Sequence, residues 1–178
     1  FEMHDQGFKS VINPSLLFAS GKASGPGSVL TVTLEGTRPL IVEVQGLVAK
    51  TIFNYPKRTA TGFDLNRLNF ICAVIEKHLK LPLSSQDVYV NITSGVTINE
   101  PAADLAVALA IVSSFKNLPF KTGVVVYGEL GLSGEVRAVG FDSRRQKEAV
   151  KLGFKKILGP STAKTLGDAA LQALGNRS

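Results

Sequence analysis

The chain has 178 residues, of which 44% are hydrophobic and 19% charged, and its formal net charge at neutral pH is +6. This length and composition suit one globular domain with a sizeable core and exclude a disordered chain. The longest apolar run, Leu105–Val112, is far shorter than the roughly 20 residues of a membrane span, so no membrane partner is expected. The positive charge is consistent with a polyanionic partner such as nucleic acid.

Residues 1–27 have little periodicity and end in the turn-rich stretch SGKASGPGS, which predicts a leader and a linker. Because the chain begins at Phe1 and not at Met, we expect it to be part of a longer protein. Alternating segments at Ser28–Glu35 and Leu40–Val48 predict an antiparallel pair of strands joined by a hairpin turn. The polar, basic stretch Asn54–Phe63 then predicts a loop.

Apolar residues recur at spacings of three and four from Leu65 to Leu79, which predicts an amphipathic helix with Asp64 as its N-cap. A strand is predicted at Asp87–Thr93. A second helix begins after Asn99–Glu100–Pro101 and is apolar on every side from Ala102 to Val112, which indicates a buried helix. Asp104 is the exception, and a structural cap or an ion pair between subunits is favoured over a catalytic role for it.

The remaining segments predict a strand in TGVVVYGEL, a short strand in GLSGEVRAV, a helix in SRRQKEAVKLGF, a strand in KKILG and a closing helix in TAKTLGDAALQALG. The predicted order is β-β-α-β-α-β-β-α-β-α, which indicates a mixed α/β (α+β) fold and not a strictly alternating one. The only cysteine, Cys72, lies on an apolar helix face and is interpreted as a buried core residue. His4 and His78 lack ligand spacing, so no metal site is expected.

Basic residues cluster in two regions of the chain. Lys57, Arg58 and Arg67 bracket a polar turn in the first region. The second region holds seven cations, namely Arg137, Arg144, Arg145, Lys147, Lys151, Lys155 and Lys156. In a helix, Arg144, Lys147 and Lys151 share one face. Such a face either contacts phosphates, which we favour, or is merely hydrated.

Four blocks in the chain together resemble the proteolytic domain of the Lon family, and above all the C-terminal Lon-protease-like domain of the RadA (Sms) family of DNA repair and recombination ATPases. The blocks are NPSLLFAS at Asn13–Ser20, PKRTATGFDLNRL at Pro56–Leu68, NEPAADLAVALAI at Asn99–Ile111 and GELGLSGEVRAV at Gly128–Val139. The resemblance implies a Lon-like domain at residues 28–178, preceded by a leader from an ATPase core. The ATP and zinc sites of that family would lie upstream, so no cofactor is expected in this fragment.

The resemblance also locates two positions where Lon proteases carry a catalytic Ser–Lys dyad. Ala102 falls where the serine would be, and Ser143 stands where the lysine would be. A dyad needs a hydroxyl and an amine within hydrogen-bond reach, so the resemblance implies that this domain is not an enzyme and that Ala102 and Ser143 are vestigial positions. The alternative is an active Lon-type serine peptidase with relocated residues, for which Ser94, Ser113 and Ser143 are the nearby serines.

The resemblance implies a scaffold domain that supports a ring, expected to be hexameric, and DNA binding during branch migration of recombination intermediates. The partner would be single-stranded or branched DNA. The residues expected to contact DNA are Lys57, Arg58, Arg67, Arg144, Arg145 and Lys147. A pure assembly module without DNA contact is a further alternative. The expected location is the bacterial cytoplasm, or an organelle if the parent protein is eukaryotic.

Overall fold

The computed structural model describes residues 2–4, 7–9 and 25–174. Most of the predicted leader, including the NPSLLFAS block, lies outside these described residues. Two short strands of the leader, β1 (Glu2–His4) and β2 (Gly7–Lys9), pair antiparallel with each other. The division of the chain at residue 27 therefore stays a prediction, although the main sheet does begin at Ser28.

One six-stranded sheet organises residues 25–174. Its strands are β3 (Ser28–Glu35), β4 (Arg38–Lys50), β5 (Arg58–Thr61), β6 (Gln86–Ile92), β7 (Val124–Val126) and β10 (Lys156–Leu158). They are ordered β10-β7-β3-β4-β6-β5, with three parallel and two antiparallel pairings. A separate hairpin joins β8 (Glu129–Leu130) and β9 (Val136–Arg137). The predicted hairpin of β3 and β4 is confirmed, as is the mixed α/β class.

The strand β5 corrects the expectation that Asn54–Phe63 forms only a loop. Its four residues pair in parallel with β6 and form one edge of the sheet. The segment Arg58–Thr61 lacks the apolar alternation that identifies a strand in sequence. A short edge strand of this kind is stabilised by hydrogen bonds to its neighbour, so local sequence alone does not identify it.

Within residues 25–174, four helices pack against the two faces of the sheet. They are α1 (Leu65–Leu79), α2 (Asp104–Lys116), α3 (Asp142–Lys151) and α4 (Leu166–Leu174). Helices α1, α2 and α4 share the larger hydrophobic core, whereas α3 packs on the opposite face through Ala149. Side chains alternate between the two cores along β3, where Val29 belongs to the larger core and Leu30 to the smaller.

Helix α2 is central to the larger core, as its sequence predicts. Every residue from Leu105 to Val112 is fully buried, because α2 lies between the sheet on one side and α1 and α4 on the other. Gly46 on β4 permits close contact with this helix. A Cβ atom at Gly46 would lie 2.9 Å from the carbonyl carbon of Ala110, a backbone atom with little freedom to move.

The N-cap predicted for α1 is also present in the structure. The Asp64 side chain accepts a hydrogen bond of 2.8 Å from the backbone N–H of Arg67 and so caps α1 as predicted.

Cys72 lies in the larger core, and its burial raises the pKa of the thiol to about 11, which suits an unreactive packing residue. Within the described part of the chain, no helix is both long and apolar enough to cross a bilayer.

Candidate functional site

The short 3-10 turn Pro101–Ala103 leads into α2 and holds the position at which Lon proteases are expected to carry a serine. Ala102 is only 1% exposed. Its carbonyl accepts a hydrogen bond of 2.8 Å from the N–H of Gly128, and the Gly128 carbonyl accepts one of 3.0 Å from the N–H of Leu105. This reciprocal pair holds the turn against the segment that follows β7. The side chain of Ala102 is thus a buried methyl group, which has no atom capable of nucleophilic attack.

An ion pair on the N-terminal side of the turn links it to α3. The guanidinium of Arg145 donates to both carboxylate oxygens of Glu100, at 2.9 and 2.6 Å, and also to the carbonyl of Val32. Glu100 further accepts from the hydroxyl of Thr33 and the N–H of Leu34. The Arg145 side chain is 1% exposed and the Glu100 side chain 24%, so this largely buried pair crosslinks the turn, β3 and α3.

These contacts also set the ionisation of Glu100. Burial by itself would raise the pKa of the Glu100 carboxyl, but the Arg145 guanidinium and the donors at Leu34 and Thr33 outweigh it and lower that pKa below its usual value. Glu100 is therefore ionised at neutral pH, which suits an ion pair and not a general acid.

A second ion pair lies on the C-terminal side of the turn. Asp104 is fully buried, and its carboxylate accepts two hydrogen bonds from the Arg67 guanidinium and one of 3.1 Å from the N–H of Leu130. Burial raises the pKa of Asp104, while Arg67 and the Leu130 N–H oppose the rise. The Asp104 carboxylate in turn raises the pKa of Arg67. The expectation of an ion pair between subunits is thus corrected, because Asp104 pairs with Arg67 of the same chain.

A cleft of about 350 Å³ opens beside the turn. It is lined by Phe63, Asp64, Arg67, Ile98, Asn99, Glu100 and Pro101. Its three charged side chains all have partners within the chain, because Asp64 caps α1, Arg67 pairs with Asp104, and Glu100 pairs with Arg145. None of these seven lining residues is a serine or a lysine, so the cleft lacks the chemistry of a dyad.

The serines considered as relocated nucleophiles lie in different surroundings. Ser143 is exposed near the start of α3 and lines a shallow surface pocket with Gln146 and Lys147. Ser113 is buried in α2, where its hydroxyl donates to the carbonyl of Leu118. Ser94 is exposed in a turn after β6. None of the three lines the cleft beside Ala102.

The structure divides the six cations expected to bind DNA into two groups. Arg58, Arg67 and Arg145 are held within the fold. Arg58 donates to the carbonyls of Gln86 and Leu83, and the other two form the ion pairs described above. The expectation that Arg145 lies on a basic surface is thus corrected, because its position on α3 turns it towards the sheet.

Lys57, Arg144 and Lys147 form the second group, and all three are exposed. Arg144 lies over the Phe141 ring and donates to the carbonyl of Thr37. Lys147 is followed one turn later by the exposed Lys151, and both line the pocket that contains Ser143. Arg144, Lys147 and Lys151 thus form an outward row of cations, here named the α3 cation row. Lys57 belongs to the loop before β5, on a different part of the chain.

The segment Thr51–Pro56 between β4 and β5, here named the aromatic loop, is a second exposed feature and has no counterpart among the predictions from the sequence. Ile52, Phe53 and Tyr55 are 87%, 56% and 84% exposed, respectively. The ammonium group of Lys57 lies 4.5 Å from the centroid of the Phe53 ring. The sequence signal for the aromatic loop is three large apolar residues within the four positions 52–55, two of them just before the predicted loop Asn54–Phe63.

Comparison with known proteins identifies close relatives of the chain. Residues 57–163 match the family model described as subunit ChlI of Mg-chelatase. The chain is 49% identical over 162 residues to the DNA repair protein RadA of Aquifex aeolicus, covering 91% of the chain and 36% of the relative. It is 46% identical over 168 residues to RadA of Halalkalibacterium halodurans, with shares of 94% and 36%. It is 48% identical over 166 residues to RadA of Streptococcus pneumoniae, with shares of 93% and 40%. The chain thus spans little more than a third of the length of these relatives.

Proposed function

The chain belongs to the family described by the ChlI model and to the RadA family of DNA repair proteins, and on this premise we propose that it is a non-catalytic, Lon-protease-like scaffold domain that binds DNA. The α3 cation row carries the proposal. Three exposed cations on one helix face supply the sequence-independent attraction to phosphates that a DNA repair protein needs.

The lack of peptidase activity is supported by the geometry around Ala102. The residue at the expected nucleophile position is a buried alanine, and the charged groups on either side of it are engaged in ion pairs that stabilise the fold. Ser143 is exposed near the start of α3, with Lys147 in the same surface pocket. The competing proposal, a Lon-type peptidase with relocated residues, has no serine in the cleft beside the turn.

We expect the chain to hydrolyse no peptide above the blank, and Ala102→Ser to remain inactive because the general base would still be absent. The measurement is a fluorogenic peptide assay together with labelling by a serine-directed probe. Ala102→Ser/Ser143→Lys is the informative comparison, since it supplies both members of the expected dyad. Hydrolysis by the unaltered chain that is abolished by replacing Ser94, Ser113 or Ser143 would show that the peptidase alternative is correct.

For DNA, we expect Arg144→Ala/Lys147→Ala in the assembled full-length protein to weaken binding to all sequences alike. Removal of one phosphate contact should reduce the slope of log affinity against log salt concentration by about 0.7–0.9. Binding is measured by fluorescence anisotropy across a salt series. Lys77→Ala is the matched control, because Lys77 is an exposed cation on α1, on the other side of the sheet.

If Arg144→Ala/Lys147→Ala changes neither the affinity for DNA nor the salt slope, the domain is a pure assembly module without DNA contact. An effect of Lys77→Ala that equals, per charge removed, the effect of the double variant would show that binding follows total charge and is not localised on α3. Arg145 is not replaced in this test. Its side chain is buried, so its replacement would destabilise the fold and would not remove a surface charge.

We propose further that the domain assembles into a ring, with six subunits as the expected number, in a parent ATPase that acts on branched recombination DNA. Exposed apolar side chains such as Leu132, Val150 and Leu171 provide surface for such contacts. ATP and zinc would be bound by other parts of the parent. The named relatives come from bacteria, which supports a location in the bacterial cytoplasm; an organelle applies if the parent is eukaryotic.

A further inference from the structure

We infer that the aromatic loop is a stacking site for the unpaired bases of single-stranded DNA. This inference rests on the proposed function, since it assigns one kind of DNA contact to a surface outside the α3 cation row. Ile52, Phe53 and Tyr55 place three exposed, large apolar side chains within four consecutive positions of this loop. Exposed apolar groups clustered in this way indicate a contact surface.

The base of the aromatic loop is anchored, so the rings are presented from a defined backbone. The N–H of Thr51 donates to the carbonyl of Ser85, and the hydroxyl of Thr51 accepts from the N–H of Phe53. At the other end, the N–H of Lys57 donates to the buried carboxylate of Asp87 at 2.7 Å. A preordered loop loses little conformational freedom when a ligand binds, which favours affinity.

The charges around the rings favour nucleic acid as the ligand. From Lys50 to Phe63 the sequence contains three cations and no acidic residue. Lys50 and Lys57 are exposed, and Lys57 lies over the Phe53 ring, so a positive charge and an aromatic face occur side by side. Proteins that bind single strands combine these two elements, with bases on the rings and phosphates near the cations.

The same features discriminate against other ligands. Bases in a duplex are already stacked on each other, so an exposed ring finds free base faces only on a single strand. Lysine is depleted at protein–protein interfaces, whereas two exposed lysines, Lys50 and Lys57, flank this loop. Tyr55, 84% exposed, is the most exposed aromatic residue in the described part of the chain and is the principal stacking residue of this inference.

The experiment uses the assembled full-length protein with a single-stranded oligonucleotide and a duplex of the same length. We expect Tyr55→Ala to lower affinity for the single strand by roughly tenfold, the order of magnitude for the loss of one base stack. Affinity for the duplex and the salt slope should not change, because no phosphate contact is removed. Tyr55→Phe should retain binding, and Tyr55→Leu, which keeps apolar area without an aromatic face, should not.

A fluorescent base analogue in the strand gives a second measurement. Its quenching on binding should be present with the unaltered protein and with Tyr55→Phe, and weakened in Tyr55→Ala. Equal losses on single strand and duplex would overturn the inference. So would a change in the mass of the assembly with normal DNA affinity, which would identify the loop as an interface between copies of the chain.

The two proposals fail in different ways. If the unaltered protein binds neither the single strand nor the duplex, the proposed DNA-binding function is wrong and the stacking inference is overturned with it. If the unaltered protein binds DNA and responds to Arg144→Ala/Lys147→Ala but not to Tyr55→Ala, only the stacking inference is overturned.

Discussion

Replacing Arg145 by alanine is expected to lower the free energy of unfolding by about 3–5 kcal/mol, the range observed when one partner of a buried ion pair is removed. The Arg145 side chain is 1% exposed and bonds both oxygens of Glu100. Its loss would leave the Glu100 carboxylate partly buried without a cation, and the carbonyl of Val32 without this donor. Chemical denaturation at neutral pH measures the change.

The neighbouring Arg144→Ala is the matched control for this prediction. Arg144 is exposed and makes only surface contacts, with the Phe141 ring and the Thr37 carbonyl, so its replacement should cost no more than about 1 kcal/mol. Similar losses in the two variants would show that the Arg145 effect comes from general features of α3 and not from the buried pair.

The loss of unfolding free energy caused by Arg145→Ala should also depend on pH. The pKa of Glu100 is lowered in the folded chain from a reference value of 4.5, so the pair stabilises fully above that value. Its contribution is lost as the pH falls through the folded pKa of Glu100, because a protonated carboxyl no longer needs a cation. The difference between the unaltered chain and Arg145→Ala should therefore shrink on acidification. A constant difference through that range would indicate a loss of packing instead.

Asp104→Ala is expected to lower the free energy of unfolding by about 2–3 kcal/mol, mainly because the buried N–H of Leu130 loses its acceptor. The effect should be smaller than that of Arg145→Ala, since the Arg67 side chain is 29% exposed and its guanidinium gains access to water once Asp104 is gone. Thermal or chemical denaturation measures the loss.

A paired substitution separates the ion pair from other roles of Asp104. Arg67→Met alone leaves the buried carboxylate without its cation, whereas Arg67→Met/Asp104→Leu removes both charges together. We expect the double variant to be more stable than the sum of the single effects predicts, since no unpaired charge remains. Strictly additive effects would show that the two residues do not act as a pair.

Much of the fold is predictable from short stretches of sequence. The spacing of apolar residues predicts α1, the continuous apolar composition predicts that α2 is buried, and alternation predicts the hairpin of β3 and β4. Asp64 is identifiable as the cap of α1 from its position alone. These features depend on neighbours a few residues away, so the local pattern carries the information. The four motif blocks likewise indicate the family by their residues and their order along the chain.

Whether a charged residue is buried, and which partner it pairs with, depends on long-range packing. Arg144 and Arg145 are adjacent in sequence, yet neighbouring residues of a helix point about 100° apart, and only the packing of α3 against the sheet determines which one is buried. Likewise, the partner of Asp104 lies 37 residues away, and that of Glu100 lies 45 residues away.

Local sequence was therefore sufficient to specify the helices α1 and α2, the central hairpin, the family and the lack of a nucleophile at Ala102. The edge strand β5, the two ion pairs beside the turn and the exposure of Tyr55 follow only from the folded chain. The physical reason is the range of the interactions. Helical and strand periodicity arise between near neighbours, whereas strand order, burial and ion pairing join segments that meet only when the whole sheet has formed.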